Sequence, residues 1–565
     1  MDNSQILLVT VLLPLIGAIL MGPCSRAGDQ VARGVALLVT CVTLLFASMV
    51  IHRFPADGGS GQAFAVFDYA WFVGGDAAKA AAPRIQFNIG LDGLSVWLFG
   101  LSALLMVSAV LISWTAIRDR VGLFYGMLLL LESGCLGVFV ARDILLFYVF
   151  FEFTLIPLFF LVGIWGSEDR RYAAMKFFLF TLAGSVLTFL GILSLVLWDQ
   201  QHSGTGQMRF MIDELTAGLR AHPLPPGLQS LVFLALFAGF AIKVPLFPLH
   251  TWLPLAHVQA PTAGSVILAG VLLKIGTYGF LRFSIPMLPD ASRSWAPWML
   301  WLAAIGIIYG ALVALVQSDI KRLIAYSSVS HLGFCMLGLF AFNRPGVQGG
   351  TLQMINHGLS TGGLFAIVGL IYERYHTREI RDLSGLARRL PMLACCMLLF
   401  TFSSIGLPGL NGFAGEFLIL LGMFQRAYSE SAFAYQGQML AIAVISVGGV
   451  VLGAWYMLWL VQRIFFGPLR EPVPHESGPG GGTLPGTDSG HSPAVRDLSP
   501  RELLALAPLL VFVVWIGLQP GYFLNRMGPT LNRLTDAARA PSPIVRFQED
   551  PTVIQFAAGQ ISTGK

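Results

Sequence analysis

Long apolar runs, separated by short polar segments, follow one another along most of the chain. A helix needs roughly 20 apolar residues to cross a bilayer, and scanning for such runs gives about 14. In lipid every backbone polar group must be hydrogen-bonded within the protein, and runs this dense leave little room for β-barrel alternation. The pattern therefore predicts an all-α membrane protein with about 14 transmembrane helices. The predicted spans are Ile6–Met21, Val31–Ile51, Leu94–Trp114, Val121–Val140, Ile144–Trp165, Ala173–Trp198, Leu231–Phe247, Ala263–Phe283, Trp298–Val316, Leu323–Phe342, Leu352–Tyr372, Met392–Leu421, Met439–Ile464 and Leu503–Leu518.

Prolines interrupt the seventh and the twelfth of these runs. Pro245 and Pro248 lie in the seventh, and Pro408, next to a glycine in the sequence, lies in the twelfth. Because proline removes a backbone donor and clashes with the preceding turn, we expect both helices to be discontinuous. Each broken helix is the fourth in a set of five, which favours two inverted repeats formed by helices 4–8 and 9–13. The symmetry is imperfect, since Lys243 precedes its break and Glu416 follows its own.

The runs and the polar segments between them suggest a division of the chain into regions. Residues 467–500 are rich in Gly, Pro and Ser, a composition that cannot bury a core. The predicted regions are 1–120, with helices 1–3 and an external loop at 52–92; 121–284, the first repeat; 295–465, the second repeat; 466–501, a flexible loop; 502–520, the last helix; and 521–565, a polar tail.

Composition agrees with a membrane protein and excludes several other classes. The chain is 55% hydrophobic and 12% charged, whereas about a quarter of an average soluble chain is charged. No basic stretch is interleaved with aromatic residues, so nucleic-acid binding has no support. The 6 cysteines include no C-x-x-C pair, which argues against iron–sulfur or zinc ligation by this chain. The N-terminus lacks the positive region of a signal peptide, so we expect the first run to be retained as a helix.

The distribution of Lys and Arg predicts the orientation of the helices. These residues are more frequent in the loops after odd-numbered helices than in the loops after even-numbered ones. Because positive loops stay in the cytoplasm, we expect the odd-numbered loops to be cytoplasmic and both termini to be external.

Four formal charges lie within or beside the apolar runs: Glu152, Lys243, Lys274 and Glu416. A charge at the centre of a membrane helix costs ~2.5–3.5 kcal/mol on insertion scales, so such residues usually have a function. Each of the four could instead be structural. Glu152 could be a carboxylate satisfied by hydroxyls, the lysines could extend to the membrane surface, and Glu416 could simply favour a helix start.

Three histidines, His250, His331 and His357, lie in or beside the same segments. Imidazole titrates near neutral pH, so histidines suit the intermediate steps of a proton relay. His250 could equally be an ordinary loop residue near the membrane surface, and the other two could be structural.

Several long stretches carry a family resemblance that covers roughly residues 5–465 and the last helix. The chain resembles the antiporter-like membrane subunits of proton-pumping NADH–quinone oxidoreductase, respiratory complex I. The stretches are FNIGLDGLSVW (87–97), FEFTLIPLFFLVGIWG (151–166), RYAAMKFFLFTLAGS (171–185), KVPLFPLHTWLPLAHVQAPTAGSVILAGVLLKIGTYGFLR (243–282), DIKRLIAYSSVSHLGF (319–334), MINHGLSTGGLF (354–365) and GLPGLNGFAGEF (406–417).

The resemblance implies a proton path, driven by quinone reduction elsewhere in the complex. The residues it assigns are Glu152 and Lys243 as a first pair, Lys274 as a relay, His331 and His357 as a continuation, Glu416 as the end, and His250 in a secondary role. It also implies a multi-pass protein of the bacterial inner membrane, with both termini periplasmic. The chain would carry no cofactor, and NADH, FMN, iron–sulfur clusters and quinone would be bound by partner subunits.

Finer assignment depends on fewer residues. Glu416, where the L and N branches usually carry lysine, and the stretch HTREIRDLSGL (376–386) favour the M branch of the family. The L and N subunits would then lie on either side of this chain in the membrane. Two alternatives share the same buried residues: a subunit of a multi-subunit Na⁺/H⁺ antiporter, and a membrane subunit of a hydrogenase-type complex. A purely structural scaffold would gain nothing from the buried lysines.

Overall fold

The computed structural model describes residues 1–59, 63–73, 84–204, 206–429, 433–472 and 495–539. Within these ranges, 13 helices are long and apolar enough to cross a membrane, and Pro391–Ser404 is a shorter apolar helix. That shorter helix forms the first half of the predicted twelfth span. The prediction of a helical, multi-pass membrane protein is thus confirmed.

The helices and strands follow in chain order. The first half contains α1 (Asn3–Ala27), α2 (Asp29–Arg53), β1 (Phe64–Val73), β2 (Arg84–Leu91), α3 (Val96–Ala116), α4 (Val121–Val140), α5 (Ile144–Phe153), α6 (Leu155–Trp165), α7 (Arg170–His202), α8 (Ile212–Ala221) and α9 (Pro226–Lys243). The second half contains α10 (Trp252–Gln259), α11 (Thr262–Ile267), α12 (Leu273–Gly279), α13 (Ile285–Met287), α14 (Pro289–Leu315), α15 (Ile320–Phe340), α16 (Arg344–Tyr375), α17 (Pro391–Ser404), α18 (Asn411–Ser429), α19 (Phe433–Phe465), α20 (Pro500–Leu518) and α21 (Pro520–Arg539).

An antiparallel hairpin, β1 and β2, lies within the segment that the sequence analysis treated as a loop. Phe67 pairs with Ile89 and Asp68 with Asn88. A search for long apolar runs passes over this hairpin, because β2 alternates apolar and polar residues with a period of two. We call the end of the bundle that carries β1, β2, α8 and α21 the hairpin end, and the end where α3, α6 and α16 finish the opposite end.

Both predicted helix breaks are present. Helix α9 stops at Lys243 and helical structure resumes in α10 at Trp252, and α17 stops at Ser404 before α18 begins at Asn411. The second break needs left-handed backbone at a glycine, Gly406, whose φ is 70°. The inverted relation between the two five-helix sets remains a prediction.

The most buried helices lie at the centre of the bundle and carry the site. The most apolar stretches of Thr262–Met287 and of α16 are 100% buried, whereas those of α1 and α20 are only 39% and 33% buried. The peripheral helices therefore offer apolar side chains to lipid, and the central ones face only protein. Two π-helical turns, Leu268–Leu272 and Phe280–Ser284, join α11 to α12 and α12 to α13.

A buried ion pair ties the start of α3 to the hairpin end of the central span. Arg282 lies near the end of the predicted eighth span, in the second π-helical turn, and donates to both carboxylate oxygens of Asp92, at 2.6 and 2.8 Å. It also donates to the Tyr278 hydroxyl. Burial alone would raise the pKa of Asp92, but the charge and hydrogen bonds of Arg282 outweigh it and lower that pKa to about 2.

We predict that Asp92→Asn destabilises the fold by about 3–5 kcal/mol, because it leaves the Arg282 charge buried without a partner. The measurement is the thermal unfolding of the purified protein in detergent. Since the pKa of Asp92 lies below its ordinary value of 3.8, its contribution is fully present above about pH 4 and disappears as the pH falls towards 2.

The matched control is Asp290→Asn, which removes a partly exposed partner of Arg293. Exposed pairs contribute about 0–1 kcal/mol, so the control should shift the unfolding midpoint far less. Equal midpoints for Asp92→Asn and the native protein would contradict the prediction.

Candidate functional site

Lys274 is fully buried at the centre of the bundle and contacts a histidine of a neighbouring helix. Its ammonium donates to the carbonyl of Ala269, in the first π-helical turn, and its Nζ lies 2.6 Å from Nδ1 of His357 on α16. Two positive charges this close would repel each other strongly in a buried site, so the Lys274–His357 pair carries at most one positive charge.

Glycines explain how the two helices approach closely enough for this contact. Gly270 lies in the π-helical turn and Gly358 lies next to His357 in α16. A Cβ added at Gly358 would lie 2.8 Å from the Gly270 carbonyl oxygen, closer than real Cβ atoms come. π-helical turns are rare and frequent at functional sites, because they redirect backbone carbonyls.

The row of titratable groups continues from His357 to His331 on α15. The centres of the two imidazole rings are 5.7 Å apart. His331 interacts through Nε2 with the Ser404 hydroxyl, at 3.1 Å, and its Nδ1 lies 3.5 Å from Oε1 of Glu416. His331 therefore connects the Lys274–His357 pair to the broken helix α17–α18.

Glu416 ends this row, just after the second helix break. Gln353 donates to its Oε1 at 3.2 Å. Asn411 supports the break from inside, since its carbonyl accepts from Asn356 at 2.7 Å and its side-chain oxygen accepts from Ser403 at 2.5 Å. The Glu416 carboxylate is thus held by a network of polar side chains beside the break between α17 and α18.

Four side chains from four helices therefore form one continuous chain of contacts, which we call the central row: Lys274, His357, His331 and Glu416. Each has at most 6% of its surface exposed. All four were candidates from the sequence, with Lys274 before the two histidines and Glu416 at the end. The structure adds that His357 contacts Lys274 and that His331 lies next to Glu416.

Glu152 and Lys243 lie beside the first helix break, at the ends of α5 and α9. Lys243 is buried, and its Nζ lies 4.6 Å from the centre of the Phe151 ring, a cation–π contact. Glu152 is half-buried, its Oε1 has no hydrogen-bond partner, and it interacts with Lys243 only electrostatically. Among the described side chains these two form no direct ion pair.

His250 is buried within the first break, but apart from the central row. Its ring lies against aromatic rings, 5.0 Å from that of Tyr309 and 5.8 Å from that of Phe247. Its Nδ1 has no hydrogen-bond partner in the described part of the chain. Within those residues, the ring contacts of His250 lead to aromatic side chains and not to the other candidate residues.

Three further titratable residues, not selected from the sequence, are buried in the bundle. His257, between the seventh and eighth predicted spans, is fully buried, stacks on Phe365 at 4.4 Å and has no partner at either ring nitrogen among the described residues. Lys321, between the ninth and tenth predicted spans, is buried and donates to the Ala260 carbonyl at 2.6 Å. Glu132 lies in an apolar run, as Glu152 does, and both of its oxygens are buried without partners. That shared setting was the signal that could have found Glu132.

A cavity of about 620 Å³ opens at the opposite end of the bundle. Lys321, Glu373, Thr262 and Arg378 are among the residues that line it. Glu373 accepts a hydrogen bond from Thr115 at 3.0 Å, and its other oxygen is buried without a partner.

One ridge of α16 connects this cavity to the central row. Glu373, Gly369, Phe365, Thr361 and His357 follow one another at intervals of four residues, the spacing of neighbours on a helix surface. The hydroxyl of Thr361 and Nε2 of His357 have no hydrogen-bond partners. The ridge therefore offers unpaired polar groups between the cavity and the Lys274–His357 pair.

Across the described ranges, no three His, Cys, Asp or Glu side chains are grouped as metal ligands would be. The site's chemistry, as far as the structure describes it, is that of proton-binding groups placed in sequence.

Comparisons with known proteins show the family of the chain. The family model described as "NADH:quinone oxidoreductase/Mrp antiporter, TM" matches residues 141–441. The chain is 40% identical to "NADH-quinone oxidoreductase subunit M" of Rhodobacter capsulatus over 94% of this chain and 96% of that one. It is 38% identical to "NADH-ubiquinone oxidoreductase chain 4" of Chondrus crispus over 92% and 96% of the two chains.

Solved structures share the fold. A chain of respiratory complex I from Thermus thermophilus aligns with a TM-score of 0.77 and 32% identity, covering 94% of this chain and all of that one. A chain of the Mrp complex from Dietzia sp. aligns with a TM-score of 0.74 at 21% identity, covering 96% of this chain and all of that one. With a family model over more than half of its length and close relatives over almost all of it, the chain belongs to the antiporter-like membrane subunits of NADH–quinone oxidoreductase, in the group of subunit M and chain 4.

Proposed function

We propose that this chain carries protons across the membrane as a subunit of NADH–quinone oxidoreductase, and that the central row is its proton path. The observation that carries the proposal is the unbroken sequence of contacts from the Lys274–His357 pair to Glu416, buried throughout and ending at a helix break. Ionisable residues inside a membrane bundle commonly mark such paths.

The geometry of the row suggests how a proton moves along it. The Lys274–His357 pair carries at most one positive charge, so the arrival of a further proton forces one to leave. His357 passes it towards His331, whose ring centre lies 5.7 Å from its own, and a rotation of either ring brings their nitrogens closer. His331 then delivers it to Glu416, at 3.5 Å.

Glu152 and Lys243 suit a regulatory role next to this path. They interact without a direct ion pair, so a change in the charge of Glu152 alters the stabilisation of the Lys243 ammonium without breaking a hydrogen bond. Charge changes of this kind bias neighbouring equilibria. Quinone reduction in partner subunits would supply the driving force, and the L and N subunits would be the neighbours in the membrane arm.

The cavity at the opposite end provides the access to the row. Lys321 forms part of its wall, and buried His257 interacts electrostatically with both Lys321 and Lys274. We therefore assign the ridge of α16, with His257 beside it, as the link between one membrane face and the central row.

The redox-coupled function is favoured over sodium–proton antiport. The likeness to the Mrp complex, at 21% identity, concerns the fold alone, whereas the relative from Rhodobacter capsulatus is 40% identical and is a subunit of NADH–quinone oxidoreductase by name.

We predict that Lys243→Ala and Glu152→Gln each reduce proton pumping at least tenfold, because each removes one partner of the proposed regulatory pair, Glu152 and Lys243. A tenfold loss corresponds to about 1.4 kcal/mol in the barrier. The measurement is NADH-driven acidification of vesicles that contain the assembled complex. The matched control is Glu168→Gln, which changes an exposed carboxylate between α6 and α7, at the opposite end of the bundle. Wild-type pumping by Lys243→Ala or by Glu152→Gln would exclude the regulatory role of this pair.

Lys274→Arg separates a relay from a structural cation. Arginine keeps the positive charge and can donate to Ala269 and His357, but it does not release a proton in proteins. We expect the variant to assemble and to lose at least tenfold in pumping, measured in the same vesicles. A structural cation would be replaced by arginine with most of the activity retained, and that outcome would rule out the relay.

His257→Phe tests the access route. Phenylalanine preserves the stacking on Phe365 and removes both ring nitrogens, so the fold should persist while pumping slows severalfold. The control is His376→Phe, an exposed residue that lines the same cavity. If both variants pump like the native complex, protons reach the row by another route.

A further inference from the structure

A second cavity, of about 610 Å³, opens at the hairpin end, far along the bundle from the one that leads to the central row. It lies between α8, the start of α5, the end of α13 and α21. Its charged lining residues are four arginines and two aspartates, a net charge of two positive units: Arg142, Arg220, Arg282, Arg533, Asp92 and Asp213.

Both aspartates already have an arginine partner. Asp92 accepts from Arg282, and Asp213 from Arg142. Arg220 and Arg533 form no ion pair with any carboxylate among the described residues, although both line the same cavity. The two positive charges that remain there thus have no counter-charge in the described part of the chain.

The two paired arginines form a fixed part of the wall. Arg282 is buried by the bundle, and the side chain of Arg142 packs on Gly90, where an added Cβ would lie 2.9 Å from its Cδ. Arg220 and Arg533 are exposed at the mouth of the cavity, so their guanidinium groups are free to donate to the oxygens of a phosphate group.

The remaining walls of the cavity are largely apolar, and include Val66, Pro286 and Leu534. The cavity lies where two candidate membrane spans have their ends, Thr262–Met287 at Pro286 and Ile144–Trp165 beside Arg142. The ends of membrane spans lie near the level of the lipid headgroups. Apolar walls beside a cluster of arginines match a molecule with a phosphate group at one end and hydrocarbon at the other. The volume is also that of a site for a molecule considerably larger than an inorganic ion.

We propose that this basic cavity binds the phosphate group of an anionic phospholipid, with Arg220 and Arg533 as its counter-charges and the apolar walls against its glycerol and acyl portion. The site is separate from the proton path, so it stands or falls independently of the function proposed above. A bound lipid would hold α8 and α21 together across the cavity and so fasten the hairpin end.

The test uses the assembled complex, purified in detergent and washed with phosphatidylcholine. Radiolabelled phosphatidylglycerol is added, and the molecules retained per complex are counted after detergent exchange. We expect the double variant Arg220→Gln with Arg533→Gln to retain one phosphatidylglycerol fewer than the native complex. The control, Arg53→Gln with Arg344→Gln, removes the same charge from exposed positions at the same end and should retain the native number.

Further arms of the experiment identify the ligand and guard against misfolding. Millimolar inorganic phosphate should not displace the retained lipid; if it does so as well as phosphatidylglycerol itself, the site is one for free phosphate and the proposal fails. Equal retention by the double variant and its control would also overturn it, including the case in which an acidic segment of a neighbouring subunit occupies the cavity. The single variant Arg533→Gln, on the exposed side of α21, should weaken retention without any effect on assembly.

Discussion

The cost of placing charge in a membrane interior governs this structure. Lys274 is completely buried, and its position is tolerable because the Ala269 carbonyl and the His357 ring accept hydrogen bonds from its Nζ. The same contact prevents Lys274 and His357 from being charged together. The interaction that makes the burial of Lys274 tolerable therefore also makes its proton exchangeable. A group that must share its proton to remain buried is also a group that can hand that proton on.

Irregular backbone lies beside the buried titratable residues. The two helix breaks lie beside Lys243 and Glu416, so unpaired carbonyls and polar side chains occur there where protein surrounds them. At the centre, a π-helical turn and facing glycines bring α16 against the span that carries Lys274. In the membrane-spanning part of the described chain, these irregular stretches of backbone thus coincide with the titratable side chains that need them.

Much of the fold could be predicted from sequence, because bilayer thickness imposes a length that apolar runs reveal directly. The hairpin was missed because its signal is a short alternation, and the partnership of Arg282 with Asp92 was missed because it joins residues far apart in the chain. All four members of the central row could be selected as candidates from the sequence, since their charged or titratable side chains are conspicuous in apolar surroundings. His257 and Lys321 lie near run ends, where the sequence alone does not distinguish a buried side chain from an exposed one.

In the proposed path, His331 passes protons between the Lys274–His357 pair and Glu416. Chemical rescue is the sharpest test of this step: pumping by vesicles with the complex carrying His331→Ala is measured with and without added imidazole. We expect a large loss of pumping that imidazole partly restores, because a free ring can take the place of the missing one. Native pumping without imidazole, or a loss that no imidazole concentration relieves, would contradict it.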